Sequence, residues 1–225
     1  MTFSLVARCA RTGMFGVAIA TSSICVGARC SHARAGVGAV ATQNVTDPLL
    51  GTLVLDELEA GSSAVEAVEA VVRVRPHIAY RQLIAVDDHG HTAQFTGSNT
   101  LGEHAVHQSG DCVAAGNLLA THDVPFAMTE SFTSSCNQHL GERLLVGLEA
   151  GRVAGGEAGQ IHSAALLVVS EHPFPLVDLR VDWDGENPIG ELRELWTAYE
   201  PQMIDYLMRA TDPTSAPSYG VDGDP

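Results

Sequence analysis

Two short β-favouring runs, joined by a glycine-containing turn, stand at the start of the sequence. The runs are Thr2 to Ala7 and Phe15 to Ala20, and the turn is Arg11-Thr12-Gly13. Runs this close together predict a β-hairpin. The hairpin places the second residue of the chain inside a sheet, and this constrains both the fold and the chemistry that the chain can support.

Further strand and helix segments follow in groups. Strands are predicted at Gly36 to Thr42, Gln82 to Asp87, Thr92 to Thr96, Ser163 to Val169 and Leu176 to Val181. Helices are predicted from about Leu49 to Ala60, Ser63 to Val74, Pro125 to Ser134, His139 to Glu149, and from Asn187-Pro188 toward Tyr199. This order favours sheets stacked between helical layers over a βαβ alternation.

The length of the chain favours one domain. A chain of 225 residues with 45% hydrophobic content can bury a core of its own. We expect a single domain over residues 1–210. Residues 211–225 are rich in Pro, Ser, Gly and Asp, which predicts a disordered C-terminal tail.

The charge balance excludes several classes of partner. The sequence has 12 basic and 27 acidic residues, a net charge of −15, and its basic residues are all Arg. An acidic surface repels phosphate backbones and anionic lipids, so we expect neither a nucleic acid nor a membrane partner. Lysine-dependent mechanisms are excluded as well. The apolar run Ala164 to Val169 is too short for a membrane span and no signal peptide is evident, which predicts a cytoplasmic protein.

Thr2 is the first candidate for a chemical role. If Met1 is removed, Thr2 carries a free α-amine, and α-amines ordinarily titrate at about 7.7–8.0. Such an amine can accept the hydroxyl proton as Oγ attacks a carbonyl, so one residue supplies nucleophile and base. The alternative is that Thr at a strand start reflects ordinary β-propensity.

A series of sequence blocks occurs in order along the chain. The blocks are Met1 to Arg8, Phe15 to Ala18, Ala33 to Gln43, Gly116 to Leu119, Glu142 to Leu145, Leu148 to Gly151, Ala154 to Gly156, Ser163 to Val168 and Val177 to Asp182. These blocks resemble a bacterial family known as domain of unknown function 1028. The resemblance covers about residues 2–200. It implies the α+β, four-layer αββα sandwich of the N-terminal-nucleophile (Ntn) hydrolases, amide-bond hydrolysis, and assembly as a homodimer or larger homo-oligomer.

The same resemblance suggests site residues. It places Thr2 at the nucleophile and Arg34, Gln43 and Asn117 in blocks that approach it. Arg34 could keep the amine neutral by like-charge repulsion, or it could be an ordinary ion-paired arginine. Asn117 could donate to an oxyanion, or it could satisfy a turn.

Two blocks depart from the family pattern. Ser22-Ser23 stands where relatives have Ser-Lys, and the segment from Gly155 to Ala165 lacks the usual basic residues and has His162 in place of Gln. We expect Ser22, Ser23, Gln43, Glu157 and His162 to contact substrate. For Glu157 and His162 the alternatives are a solvated loop and a strand histidine with its hydrogen bonds satisfied.

No cofactor or metal is predicted. His89 and His91 could share a strand face, but no third ligand is evident. The dinucleotide-like run from Gly36 to Ala41 lacks a following helix, so a buried strand is the better interpretation.

The leading prediction is therefore a cofactor-independent hydrolase of a small amide or cyclic amide. One alternative is a non-catalytic ligand-binding or accessory protein on the same fold. Another is an amidohydrolase that uses Cys25 or Cys30. The five cysteines form an odd set without a CxxC spacing, which suits reduced thiols.

Overall fold

The structure, a computed structural model, describes residues 1–221. The strands are β1 Thr2–Arg8, β2 Phe15–Thr21, β3 Ser31–Arg34, β4 Gly38–Asn44, β5 Arg81–Asp87, β6 Thr92–Thr96, β7 Ala105–Ser109, β8 Cys112–Asn117, β9 Ser163–Val169 and β10 Val177–Val181. The α-helices are α1 Val26–Cys30, α2 Leu49–Glu59, α3 Ala64–Val74, α4 Val124–Ser134, α5 Leu140–Val153, α6 Pro188–Tyr199 and α7 Met203–Thr211.

The predicted hairpin forms the centre of the larger sheet. This sheet has six strands in the order β10-β9-β2-β1-β8-β7, and each neighbouring pair is antiparallel. β1 runs between β2 and β8, with Thr2 opposite Thr21 on one side and Asn117 on the other. The first strand of the chain is thus an interior strand with both backbone edges paired.

The smaller sheet has four strands in the order β3-β4-β5-β6, also antiparallel. Together the two sheets and the helices make a mixed helix-and-sheet fold. The predicted strand pair Gln82 to Asp87 and Thr92 to Thr96 is confirmed as β5 and β6.

The core consists of three clusters that follow the alternation of the strands. One cluster joins the facing sides of the two sheets and includes Val17, Ile19 and Ile84. A second packs the other side of the six-stranded sheet against α4, α5 and α6, and a third packs the four-stranded sheet against α2 and α3. Because successive strand residues point to opposite faces, residues in register with Ile19 project between the sheets.

Local sequence features mark several of the helix boundaries. Ser63 and Glu66 form the capping box of α3, with each side chain bonded to the other's backbone N–H. Gly61 lies between α2 and α3 with a φ of 100°, a conformation that favours glycine. Helix α5 extends beyond its predicted end at Glu149 and continues through Gly151 to Val153.

Five strands and α-helices of the described chain were not predicted from the sequence. These are α1, β3, β7, β8 and α7. β8 is a run of small residues, Cys112–Asn117, whose character as a strand depends on burial between β1 and β7. Helix α7 also follows the short 3-10 segment that contains Pro201.

The predicted disordered tail, residues 211–225, lies only partly within the described residues. Residues 222–225 lie outside the described residues. Before them, the Arg209 guanidinium donates to the carbonyl oxygens of Pro217 and Ser218. Among the helices of residues 1–221, none is long and apolar enough to cross a membrane.

Candidate functional site

A row of polar side chains crosses four adjacent strands at one end of the six-stranded sheet. In the ladder registers Ser163 lies opposite Thr21, Thr21 opposite Thr2, and Thr2 opposite Asn117. All four are on the face that points toward the other sheet, and all four are buried. Thr2 is therefore part of a polar layer that closes the apolar core between the sheets.

A second polar row on the four-stranded sheet faces the first. Gln43 lies opposite Gln82, and Gln82 lies opposite Thr96. Ser4 Oγ donates to Gln43 Oε1 at 2.7 Å, and Gln43 Nε2 donates to Gln82 Oε1 at 2.8 Å. The bond from Ser4 to Gln43 connects the two sheets directly.

Asn117 joins this network from β8. Its Nδ2 donates to Gln82 Oε1 at 3.2 Å, while its Oδ1 is buried without a hydrogen-bond partner in the described chain. Asn117 is fully buried in a strand, so it does not satisfy a turn. Its unpaired carbonyl oxygen leaves an acceptor free in the polar layer.

The methionyl group of Met1 lies directly against the hydroxyl of Thr2. The Met1 carbonyl oxygen accepts a hydrogen bond from Thr2 Oγ1 at 2.5 Å and a second, shorter bond from Thr21 Oγ1. The two threonine oxygens are 3.1 Å apart. The hydroxyl group of Thr2, the candidate nucleophile, and that of Thr21 thus converge on one carbonyl oxygen.

Glu157 supplies a buried carboxyl group ahead of β1. Glu157 is 5% exposed, and neither of its carboxyl oxygens makes a hydrogen bond of normal geometry within residues 1–221. Burial raises the pKa of the Glu157 carboxyl to about 7, and the positive N-terminal amine and the Ser22 N–H partly oppose this rise. Near neutral pH this group can hold or release a proton.

The backbone that positions Glu157 depends on two glycines. Gly155 and Gly156 have φ values of 124° and 59°, which side chains rarely adopt, and they turn the chain after α5. Glu157 then forms an antiparallel bridge with Leu119, two residues beyond Asn117. Because Thr2 is opposite Asn117, the register places Glu157 just ahead of the N-terminus.

Ser22, Ser23 and His162 lie at the rim of the same end of the sheet. The Ser23 N–H donates to Thr21 Oγ1 at 3.3 Å, and the His162 N–H donates to the Thr21 carbonyl at 2.8 Å. The His162 ring stacks on Trp183 with a centroid distance of 4.4 Å. The geometry thus brings Thr2, Asn117, Gln43, Glu157 and the rim residues to one end of the sheets.

Arg34 does not lie at this site, which corrects the expectation that it flanks the Thr2 amine. It lies opposite Gly38, five positions along β4 from Gln43, or about 17 Å along a strand. Its guanidinium is ion-paired to Asp56 at 2.9 Å and Glu59 at 2.6 Å. The acidic face of α2 holds Arg34 at the opposite end of the sheet.

The structure gives little support to the weaker candidates from the sequence. Burial raises the pKa of the Cys30 thiol, which disfavours a thiolate nucleophile, and Cys25 is half-buried at the start of α1. His89 and His91 are largely exposed, and no group of three His, Cys, Asp or Glu residues with metal-binding geometry occurs in the described part of the chain. The run from Gly36 to Ala41 is a turn that leads into the buried strand β4.

Four polar residues of the site were missed by sequence reasoning. They are Ser4, Thr21, Gln82 and Ser163. One signal could have identified Thr21, because a hairpin centred between Arg11 and Thr12 pairs residue 2 with residue 21. Ser163 depends on the pairing of β9 with β2, and Ser4 and Gln82 depend on which residues of the two sheets face each other.

The fold and the site define a mixed helix-and-sheet protein with a buried polar site at its N-terminal strand. Residues 2–192 match a family of unknown function, DUF1028, and the chain belongs to that family. A solved structure of the same family, protein SPO2555 from Silicibacter pomeroyi, is 36% identical, with a TM-score of 0.82 and 88% coverage of both chains.

Two further solved structures are much less similar. Anbu (ancestral beta-subunit) from Yersinia bercovieri is 10% identical with a TM-score of 0.42, over 90% of this chain and 96% of that chain. Anbu from Hyphomicrobium sp. strain MC1 is 12% identical with a TM-score of 0.42, over 97% and 100%. TM-scores this low do not establish a shared fold. No curated protein matches the chain.

Proposed function

We propose that the protein is a cofactor-independent hydrolase of small linear or cyclic amides, with Thr2 as the nucleophile after removal of Met1. The observation that carries this proposal is the pair of hydroxyl groups, Thr2 Oγ1 and Thr21 Oγ1, that converge on one carbonyl oxygen. In the reaction Thr2 Oγ attacks the substrate carbonyl, and its own α-amine accepts the hydroxyl proton.

The neighbouring residues support the charge that develops. Thr21 Oγ1 is placed to donate to the carbonyl oxygen as it becomes an oxyanion. Asn117 Nδ2 donates one hydrogen to Gln82, and its second hydrogen is available to the site. The buried network of Gln43 and Gln82 holds the Asn117 amide in place.

We also propose a fold class, a domain organisation, a location and an oligomeric state for the protein. We assign the fold to the Ntn-hydrolase class, a four-layer αββα sandwich, on the basis of the two facing sheets and the helices on their outer sides. The remaining expectations are one domain over residues 1–210, a cytoplasmic location and a homodimer or larger assembly. Sedimentation of the purified protein tests the assembly.

The test of the chemistry begins with the intact mass of the untagged protein, which shows whether Met1 has been removed. Turnover is then measured as release of ammonia or amine from a panel of linear and cyclic amides. We expect activity with residue 2 as Thr or Ser and none with Thr2→Ala. An ester adduct on Thr2 should be detectable by mass spectrometry when the reaction is quenched with acid.

Two results would contradict the mechanism. Equal turnover by wild type and Thr2→Ala would exclude Thr2 as the nucleophile. Stabilisation by amides without turnover, unchanged in Thr2→Ala, would instead identify a ligand-binding protein on this fold.

A further inference from the structure

Met1 occupies the space that the acyl group of a substrate would need. In the acyl-enzyme of the proposed reaction, an acyl group is bonded to Thr2 Oγ, whereas Met1 is an acyl group bonded to the Thr2 nitrogen. These two positions belong to the same residue, and the Thr2 Oγ1 already lies 2.5 Å from the Met1 carbonyl oxygen. The contacts of Met1 therefore show which chemical groups the acyl site accommodates.

The amine of this methionyl group lies at the same end of the sheet as the buried carboxyl of Glu157, since Thr2 is opposite Asn117 and Glu157 is bridged to Leu119. The positive charge of the N-terminal amine acts on the Glu157 carboxyl, which is nine-tenths buried and has no hydrogen-bond partner of normal geometry in the described chain. A buried carboxyl that lacks hydrogen bonds of normal geometry is costly unless a ligand supplies donors. The N–H groups of an ammonium are suitable donors, because charge-assisted bonds to a carboxylate are the strongest hydrogen bonds in proteins.

The side chain of Met1 lies against the backbone at Gly159. A Cβ atom built on Gly159 would be 2.5 Å from the Met1 Cε and 3.0 Å from its Sδ. The absence of a side chain at residue 159 thus leaves room for an apolar, unbranched side chain of the acyl group. The carbonyl and the side chain of Met1 thus have separate contacts, and the charge of its amine acts on Glu157.

Resting on the proposed hydrolase function, we propose that the substrates are amides of α-amino acids with a free amine, and that Glu157 is the residue that selects the amine. The Thr2 Oγ–acyl bond forms as the C–N bond breaks, and the Oγ proton passes through the Thr2 α-amine to the leaving amine. Water then hydrolyses the ester, which releases the free amino acid and restores Thr2.

The test measures binding separately from turnover. Thr2→Ala protein is produced by cleavage of a fusion immediately before residue 2, so that no methionine precedes it, and its mass is checked. Binding of L-methioninamide, N-acetyl-L-methioninamide and 4-(methylthio)butanamide is measured by calorimetry at pH 7.5. We expect L-methioninamide to bind at least tenfold more tightly than the two probes that lack a free amine.

Variants of Glu157 and of an exposed glutamate provide the second part of the test. In Glu157→Gln, binding of L-methioninamide should weaken at least tenfold, while the exposed control Glu171→Gln should bind like its parent. If Glu157→Gln does not fold, the comparison of the three probes on the parent protein still decides the question. Equal binding of the three probes, or no binding of L-methioninamide, would overturn the proposal.

The two proposals fail in different ways. Selective binding of L-methioninamide without turnover, by the protein that begins at Thr2, would exclude the hydrolase function. It would still support amides of α-amino acids with a free amine as the ligands. Thr2-dependent hydrolysis of N-acetylated and free aminoacyl amides with equal kcat/KM would support the hydrolase function. It would contradict the selection of a free amine by Glu157.

Discussion

Thr2 Oγ1 lies 3.1 Å from Thr21 Oγ1, and the two residues are directly opposed at the end of the β1–β2 ladder. Both hydroxyl groups bond to the same carbonyl oxygen. One residue is the candidate nucleophile and the other is a candidate oxyanion donor. The hairpin fixes their separation, because the register of an antiparallel pair determines which side chains are neighbours.

Loss of the Thr21 hydroxyl should slow catalysis with little change in structure. Thr21→Val keeps the shape of the side chain but removes the donor, and loss of one oxyanion donor ordinarily lowers kcat about 100-fold to 1,000-fold. The measurement is steady-state turnover of the best amide from the substrate panel. Thr42→Val is the matched control, because Thr42 is buried in β4 and bonds to the Asp47 carbonyl instead. Equal activities of the two variants would argue against a role for Thr21.

The glutamine network should contribute measurably to stability. Gln82 accepts from Gln43 and Asn117 and donates to Thr96 and the Gly116 carbonyl. Gln82→Met leaves several buried polar groups unpaired, and each such group costs about 1–3 kcal/mol. We expect the free energy of unfolding in urea to fall by about 3 kcal/mol.

A surface glutamine provides the comparison for that variant. Gln108 is exposed on β7 and bonds only to Thr92 among its described side-chain partners. Gln108→Met should change the unfolding free energy by less than about 0.5 kcal/mol. If both variants lose the same stability, the buried network is not the source of the effect.

The raised pKa of Glu157 predicts how stability depends on pH. A carboxyl whose pKa is about 7 in the folded state and 4.5 in the unfolded state binds more protons when folded. Its contribution is therefore present in full below about pH 4.5 and is lost as the pH rises to about 7. The loss amounts to at most about 3 kcal/mol, since each pKa unit corresponds to about 1.36 kcal/mol.

Urea unfolding between pH 4.5 and 7.5 tests this dependence. The wild type is compared with Glu157→Gln, both with the same N-terminus by mass, so that the other titrating groups cancel. The stability of the wild type relative to the variant should fall across this range. A constant difference would show that the Glu157 pKa is not raised.

Arg34 should be dispensable for catalysis. Its ion pairs with Asp56 and Glu59 are partly exposed, and pairs of this kind contribute up to about 1 kcal/mol. We expect Arg34→Gln to keep wild-type kcat/KM and to lose less than about 1 kcal/mol in urea unfolding. A large fall in kcat with unchanged stability would show that Arg34 contributes to catalysis.

The cysteines should differ in their reaction with iodoacetamide. Cys136 is exposed, whereas Cys30 is buried and burial raises its pKa. Peptide mapping should show rapid labelling of Cys136 and protection of Cys30, with turnover retained. Rapid labelling of Cys30 or Cys25 with matching loss of turnover would favour the cysteine mechanism.

Local patterns in the sequence predicted most of the secondary structure. The β1–β2 hairpin, the capped helix α3 and the strand β9 each carry their signals within a few residues. β8 carries no such signal, because Cys112–Asn117 is a run of small residues that becomes a strand through pairing with β1 and β7. The residues flanking a segment could not reveal those partners.

The sequence by itself determined the hairpin, the acidic surface and the choice of Thr2 as a candidate nucleophile. Only the tertiary structure decided that Thr21 and Gln82 join Thr2 and that Arg34 does not. The reason is physical: side-chain alternation gives each strand two faces, but the register between strands and the packing of one sheet on the other determine which faces meet. Those contacts join residues that are distant in the sequence, such as Ser4 with Gln43 and Thr2 with Asn117, and the residues around each of them do not identify the partner.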